Sequence, residues 1–179
     1  METSLDEFIE DLKAKLEKGW NGFTGVIRVL KQATPHGIPF DYVMQPCDVK
    51  LSYLARPWYT VQLEIGHNEI GDADAFDLIE IPQVLCELFD FLAMEKPGAI
   101  PAMRLEYQIA QKLHGVSAPR SKRAHDLIDL QLILANGNAD LKIAGELCRK
   151  LFKYRKVHAW PPSIEKGELW DRVYDEQKG

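Results

Sequence analysis

Apolar residues near the start of the chain recur with the period of an α-helix. The residues that would share one face of this helix are Phe8, Ile9, Leu12 and Leu16. Ser4 and Glu7, three residues apart, form a capping-box pattern just ahead of them. Gly19 and the Asn21-Gly22 pair then interrupt the pattern. The sequence therefore predicts a first helix that ends near Gly19.

The next part of the chain alternates apolar and polar residues, as strands with one buried face do. The alternation is clearest where Val61, Leu63 and Ile65 are separated by Gln62 and Glu64. Other strands are predicted at 26–30, 49–53 and 78–81. Pro82 is well placed to begin a helix, because its fixed φ suits the first helical turn.

The Pro- and Gly-containing segment at 96–101 is predicted to be a linker between two lobes, and a part with helical periodicity follows it. Helices are predicted at 103–116, 121–135 and 139–156, with a short one near 165–176 after the helix-breaking Pro161-Pro162 pair. The helix at 121–135 is apolar nearly all round, which is typical of a buried helix. We therefore expect an α+β fold, with a mixed-sheet lobe over 1–97 and a helical lobe over 98–179.

Charged residues on the apolar faces of these helices are the candidates for a functional site. Lys112 falls at the edge of an apolar stripe, where it either extends its ammonium to water or points to a phosphate. Arg123, Asp126 and Asp129 lie on the helix that is otherwise apolar. Arg123 and Asp126 either form an ion pair between helices or line a polar cleft.

Two other groups of charged residues allow both a functional and a structural interpretation. Glu64, near the end of its strand, could bind a hard divalent cation or lie on a solvated sheet face. The basic positions of the third long helix are Arg149, Lys150, Lys153, Arg155 and Lys156. They could follow a phosphate backbone, or they could simply offset the dipole at the helix end.

The net charge, the cysteine spacing and the lack of known motifs exclude several classes of protein. The 179 residues carry a net charge of -5, so any polyanion site is a local patch. The three cysteines have no disulfide or zinc spacing, and we expect buried or half-buried thiols. No signal peptide or membrane-spanning stretch is recognisable, so a cytoplasmic protein with no membrane partner is expected. The Walker A, Rossmann, nucleophile-elbow and zinc-protease motifs are absent.

Several segments together resemble the AbiEii/AbiGii-type nucleotidyltransferase toxins. Ala110-Gln111-Lys112-Leu113-His114 resembles their A-x-K-L-H helix, and the segment from Arg123 to Leu130 resembles their R-x-x-D-L-x-D-L motif. The resemblance extends to the strand at 61–66 and to the tail from 151 to 170. It implies an NTP with Mg²⁺ between two lobes and nucleotidyl transfer to an acceptor, with tRNA as the implied substrate and an antitoxin as partner.

The resemblance also assigns roles to individual residues. It implies Lys112 near the nucleotide phosphates, Asp126 as a second catalytic residue, Arg123 and Asp129 in support, and Glu64 as a metal ligand, where the family more often has Asp. The family's Gly-Ser-x-x-x-Asp-x-Asp element is expected before the first helix, and the sequence holds no Gly-Ser pair. Two-metal transfer needs those carboxylates. We therefore expect weak or no turnover from this chain alone.

Two other classes of protein stay open from the sequence. A binding or regulatory protein could keep the same scaffold for a nucleotide or a partner without catalysis. A structural fragment with open sheet edges would self-associate.

Overall fold

The computed structural model describes residues 5–33, 43–71, 74–167 and 170–172. The chain forms two compact units, and neither is continuous in sequence. The first contains residues 1–67 and 82–97, and the second contains 68–81 and 98–179. The segment 68–81, which the sequence placed in the lobe over 1–97, therefore packs with the helices.

The first unit is a three-stranded antiparallel sheet with two helices. Its strands β1 (Phe23–Val29), β2 (Gln45–Tyr53) and β3 (Arg56–Ile65) lie in sequence order. Helix α1 (Leu5–Lys18) packs on β1, where Gly25 leaves space for Leu16. The buried side chains of this sheet include Cys47 and Val49 of β2. Helix α2 (Gln83–Phe91) follows Pro82, which is its N-cap.

The turn and the irregular pairing of β2 with β3 shape one end of this sheet. Leu54 and Ala55 form the two-residue turn, with φ values of 48° and 63°. Pro57 pairs with Ser52 and Tyr59 pairs with Leu51, so Trp58 is the extra residue of a β-bulge. The bulge reorients the Trp58 side chain relative to the regular alternation of the strand.

The second unit contains a two-stranded ribbon and three long helices. Strands β4 (Phe76–Ile79) and β5 (Ile100–Met103) pair antiparallel. They precede helices α3 (Leu105–Val116), α4 (Ala124–Asn136) and α5 (Leu141–Arg155). Helix α3 packs against both α4 and α5. The buried core residues of this unit include Ile70, Ile109, Ala110, Ala144, Cys148 and Leu151.

Helix α5 begins and ends with capping interactions that its sequence supplies. The Asp140 side chain accepts hydrogen bonds from the backbone N–H groups of Lys142 and Ile143. The Asp140 backbone N–H donates to Oε1 of the buried Glu106 at 3.0 Å, which ties α5 to α3. At the other end, Lys156 adopts the left-handed conformation of a C-cap.

The α+β class and the main helices predicted from sequence are confirmed. The paired strands are antiparallel throughout the described ranges, so the expected mixed sheet is not observed there. Strand β5 lies in the segment that was predicted to be a linker. Helix α4 is not buried as a whole, because Leu132 and Leu134 are exposed. The thiols of Cys47 and Cys148 are buried and that of Cys86 is half-buried, as expected.

The structure describes the helix predicted near 165–176 only in part, and residues 165–167 are not helical. Positions 170–172 are helical, and positions 168–169 and 173–179 lie outside the described residues, as does Ser4 of the predicted capping box. No helix in the described part of the chain is both long enough and apolar enough to cross a membrane.

Candidate active site

Helices α3 and α4 bring Lys112 together with two of the predicted carboxylates. The Lys112 ammonium donates a hydrogen bond to Oδ2 of Asp129 at 2.6 Å, and it lies 3.7 Å from Oδ1 of Asp126. Asp126 and Asp129 are three residues apart on α4, so they present their carboxylates on the same side of the helix. The family resemblance implied that these residues share a site, and the structure places all three in the second unit.

Asp126 is the buried centre of this cluster, with a side chain only 1% exposed. Its Oδ2 accepts a hydrogen bond from Nε of Arg123, and Nη2 of Arg123 lies 3.4 Å from its Oδ1. Nε2 of His125 lies 3.5 Å from Oδ1 as well. Burying a carboxylate is costly unless it is paired. The surrounding cations make the burial of Asp126 possible.

Gly115 on α3 leaves the space in which this ion pair lies. A Cβ atom at position 115 would be 2.8 Å from Nε of Arg123, closer than such atoms approach in proteins. A glycine inside a helix costs about 0.5–1 kcal/mol relative to alanine. The close approach of α3 to the Arg123–Asp126 pair is the physical reason for glycine at this position.

The formal charges of the two cations and the two carboxylates cancel, but the exposure of their side chains to solvent differs. Lys112 and Arg123 supply two positive charges against the two carboxylates. The side chain of Arg123 is 57% exposed and that of Lys112 is 23% exposed, so both cations reach solvent while Asp126 does not. A fixed carboxylate that orients two accessible cations is suited to bind an anion such as a polyphosphate.

Glu64 belongs to the first unit and is exposed on β3. In β3 it pairs with Pro46 of β2. Across the ranges described by the structure, no group of three or more His, Cys, Asp or Glu residues could hold a metal ion. Glu64 therefore belongs to no such group among the described residues, and its role as a metal ligand stays a prediction.

The predicted basic surface of α5 divides into residues with and without a structural role. Arg149, Lys153 and Lys156 are exposed. Lys150 donates to the backbone carbonyl of Ile70 at 3.0 Å. Arg155 binds the carboxylate of Glu69 through Nε at 3.0 Å and also through Nη2.

Arg155 is the centre of a polar network in the second unit. Its Nη2 donates to Oε1 of Gln111 at 2.5 Å, and its Nη1 lies 3.3 Å from Nδ1 of His114. Since the guanidinium can only donate, Nδ1 of His114 accepts and Nε2 carries the proton. The carboxylate of Glu69 is only 8% exposed, so its multiple bonds to Arg155 offset a substantial desolvation cost.

His114 and His158 are neighbouring rings whose ionisation is opposed by their surroundings. Their ring centroids are 4.8 Å apart, and Nε2 of His158 lies 2.8 Å from Oγ of Ser117. Burial, followed by the positive charge of Arg155, lowers the pKa of His114 to about 4. Burial also lowers the pKa of His158. Both imidazoles are therefore neutral near pH 7.

The residues of these networks that were not among the candidates from sequence include Gly115, His125 and Glu69. Gly115 had one local signal, a glycine inside an otherwise regular helix. His125 adjoins the predicted Asp126 and could have been found as a neighbour of a candidate. Glu69 had no local signal, because its partner Arg155 lies 86 residues away.

The chain is thus an α+β protein in which a lysine and an arginine surround a buried aspartate. The family model described as nucleotidyl transferase AbiEii toxin of the type IV toxin–antitoxin system matches residues 3–178. The chain therefore belongs to the AbiEii nucleotidyl transferase toxin family. No curated protein matches it.

Proposed function

We propose that this protein binds a nucleoside triphosphate at the Lys112–Asp126 cluster and transfers its nucleotidyl group to an RNA acceptor, with tRNA as the expected substrate. Family membership over residues 3–178 supports the reaction class. The observation that carries the assignment of the site is the buried Asp126, which is flanked by the accessible cations Lys112 and Arg123. An antitoxin would counter the resulting growth inhibition.

The exposure of each side chain suggests its role. Lys112 and Arg123 would contact the triphosphate, because their charged ends reach solvent and carry donors that suit phosphate oxygens. Asp126 would orient both cations without touching the substrate, since it is almost completely buried. Asp129, whose side chain is 41% exposed, would hold the Lys112 ammonium until a phosphate replaces it.

The reaction balances without a further reactant. An acceptor hydroxyl oxygen forms a bond to the α-phosphorus, the bond from that phosphorus to the bridging oxygen breaks, and pyrophosphate leaves. The hydroxyl proton passes to water. Magnesium is the expected cofactor of this chemistry, with Glu64 as its predicted ligand, but the described residues alone do not form its site, and no step is assigned to it.

RNA would be held by the exposed basic residues of α5. Arg149 and Lys153 are four residues apart, so their charges lie on one side of the helix, and Lys156 follows at its C-cap. Such a row suits a phosphate backbone and confers no sequence preference. Lys150 and Arg155 would contribute less, since both already bind groups of this chain.

Calorimetric titration with NTP tests the nucleotide site independently of turnover. We expect Lys112→Ala to weaken binding at least tenfold, because a charge-assisted contact to phosphate is lost. Lys13→Ala, which changes a lysine of α1 in the first unit, is the matched control and should bind as the wild type does. Equal affinities for the two variants would refute the site.

Transfer of radiolabelled nucleotide to tRNA tests the reaction. We expect slow but measurable transfer of the label, and its abolition by Lys112→Ala. NTP binding without any transfer would favour the alternative of a non-catalytic nucleotide- or partner-binding regulatory protein.

A further inference from the structure

A row of aromatic rings covers one end of the sheet in the first unit. The ring of Phe23 lies 4.7 Å from that of Tyr53 and 4.8 Å from that of Trp58, measured between centroids. Trp58 is in turn 6.3 Å from Tyr59, and Trp20 is 6.4 Å from Phe23. We call these five residues the ring surface.

The outer members of the ring surface are exposed to an unusual degree for large apolar residues. Trp58 is 61% exposed and Tyr59 is 65% exposed, and Tyr53 is exposed as well. Exposed apolar groups that form one contiguous patch mark an interaction site more often than single residues do. The β-bulge at Trp58 directs that ring towards Phe23 on the far side of β2, which keeps the rings in one group.

The turn next to the rings is held in an unfavourable conformation. Leu54 and Ala55 both have positive φ, at a site where Asn or Gly would be favoured. Each such residue costs about 1 kcal/mol. The Leu54 N–H donates to the carbonyl of Gly22 at 2.9 Å, which fixes the turn beside β1.

Two exposed cations lie beside the rings. Arg56 pairs with Tyr53 next to the turn, so the two side chains lie on the same face of the strand pair. Lys18 is exposed two residues before Trp20, although Glu17 adjoins it. The sheet carboxylates Asp48 and Glu64 lie five residues from Tyr53 and Tyr59 along their strands, so they project from the opposite face of the sheet.

Exposed rings bordered by cations have the composition of a binding surface for single-stranded nucleic acid. Bases stack on aromatic side chains irrespective of sequence, and cations bind the intervening phosphates. We propose that the ring surface stacks on unpaired nucleotides of the RNA acceptor. This inference rests on the proposed transfer to RNA, and it adds that the acceptor contacts the first unit through single-stranded nucleotides.

Fluorescence anisotropy of a labelled single-stranded oligoadenylate with the full chain tests this inference. We expect Tyr59→Ala to weaken binding about fivefold or more, with an unchanged slope of affinity against salt, because a neutral ring is lost. Trp58→Phe should keep most of the affinity. Arg56→Gln should lower the salt slope by roughly 0.7, as expected for one lost phosphate contact.

Phe91→Ala is the matched control, because Phe91 is an exposed aromatic residue of the same unit outside the ring surface. It should leave RNA affinity unchanged. Equal affinities of Tyr59→Ala and Phe91→Ala, with both proteins folded by thermal melting, would refute the inference. A decrease in self-association measured by light scattering, without an effect on RNA binding, would instead identify a surface between copies of this chain and would also refute it.

The transfer assay separates this inference from the proposed function. Ring-dependent RNA binding without transfer by any variant would retain the ring surface and contradict catalysis. Transfer that depends on Lys112, together with RNA binding that is indifferent to Tyr59, would retain the catalytic site and refute the ring surface.

Discussion

A Cβ atom on residue 115 would lie 2.8 Å from Oδ2 of Asp126, so glycine on α3 allows the buried carboxylate of α4 to take its position. The contact couples the packing of two helices to the geometry of a charged cluster. A change in the backbone spacing of α3 and α4 would therefore move Asp126 relative to the cations that it orients.

Gly115→Ala should destabilise the protein by about 1–3 kcal/mol, since the added methyl group has no room beside Arg123 and Asp126. Gly145→Ala is the matched control, because Gly145 lies inside α5 and a Cβ there would meet nothing within 4 Å. It should stabilise by about 0.5–1 kcal/mol through a better helix propensity. Urea unfolding measures both, and a stabilised Gly115→Ala protein would contradict the close packing.

Asp126→Asn should lower the free energy of unfolding by about 1.5–3 kcal/mol, because a buried carboxylate loses charge-assisted bonds to Arg123 and its attraction to Lys112. Asp129→Asn should cost less than about 1 kcal/mol, because its ion pair with Lys112 is partly exposed. Chemical denaturation of the two variants at neutral pH compares them. Similar losses in both would mean that burial does not distinguish the two carboxylates.

The neutral state of His114 should make stability depend on pH. Its pKa in the folded protein is about 4, below the ordinary value of 6.5. The contribution of neutral His114 to the free energy of unfolding is complete above pH 6.5. It decreases as the pH falls towards 4, because the unfolded chain takes up the proton first. We expect a loss of about 2 kcal/mol between pH 7 and pH 5.

Urea unfolding of His114→Gln at these two pH values isolates this contribution, because the variant has no imidazole to protonate. The difference between wild type and variant should shrink or change sign as the pH falls. His67→Gln, which removes an exposed histidine, should keep the wild-type dependence. A His114→Gln protein with the full wild-type dependence would contradict the effect of burial and Arg155.

Arg155 and Lys153 should behave differently despite their shared prediction as RNA contacts. Arg155→Gln should destabilise by about 2 kcal/mol or more, because it leaves the buried Glu69 carboxylate without its cation. Lys153→Gln should change stability by less than about 0.5 kcal/mol, and it should lower the salt slope of tRNA binding by roughly one. Thermal melting and filter binding measure the two effects. Equal destabilisation would show that Arg155 is not the structural member of the pair.

Local sequence patterns predicted the parts of the fold that depend on local periodicity. Helices α3 and α5 and strand β3 agree with the predicted segments within a few residues, because each carries its own regular apolar spacing. Strand β5 was missed, since four residues between prolines and glycines show no period. It exists because Phe76 to Ile79 pairs with it.

The candidate site likewise contains contacts that were expected before the structure and contacts that depend on distant partners. The grouping of Lys112 with Asp126 and Asp129 was implied by the family resemblance, because the patterns of the two helices do not by themselves show that the helices pack together. The ion pair of Arg155 with Glu69 was not predicted, because the two residues are distant in sequence. The charge of Arg155 alone does not show whether it binds a group of this chain or RNA. The apolar pattern of α4 predicted a buried helix, but it carries no information on how many neighbours are available to cover it.

The alternation of the two units along the chain has a consequence for how the protein can be divided. The chain passes from one unit to the other at 67/68, 81/82 and 97/98. A fragment that starts at Gly98 would contain all three long helices, yet it would lack Ile70 from its core and the Glu69 partner of Arg155. A protease cut within 82–97 would leave the helices with their complete set of partners but separate them from strand β4 in the covalent chain. The smallest continuous fragment with an intact helical unit must therefore begin no later than Asn68 and carry α2 along as an insertion.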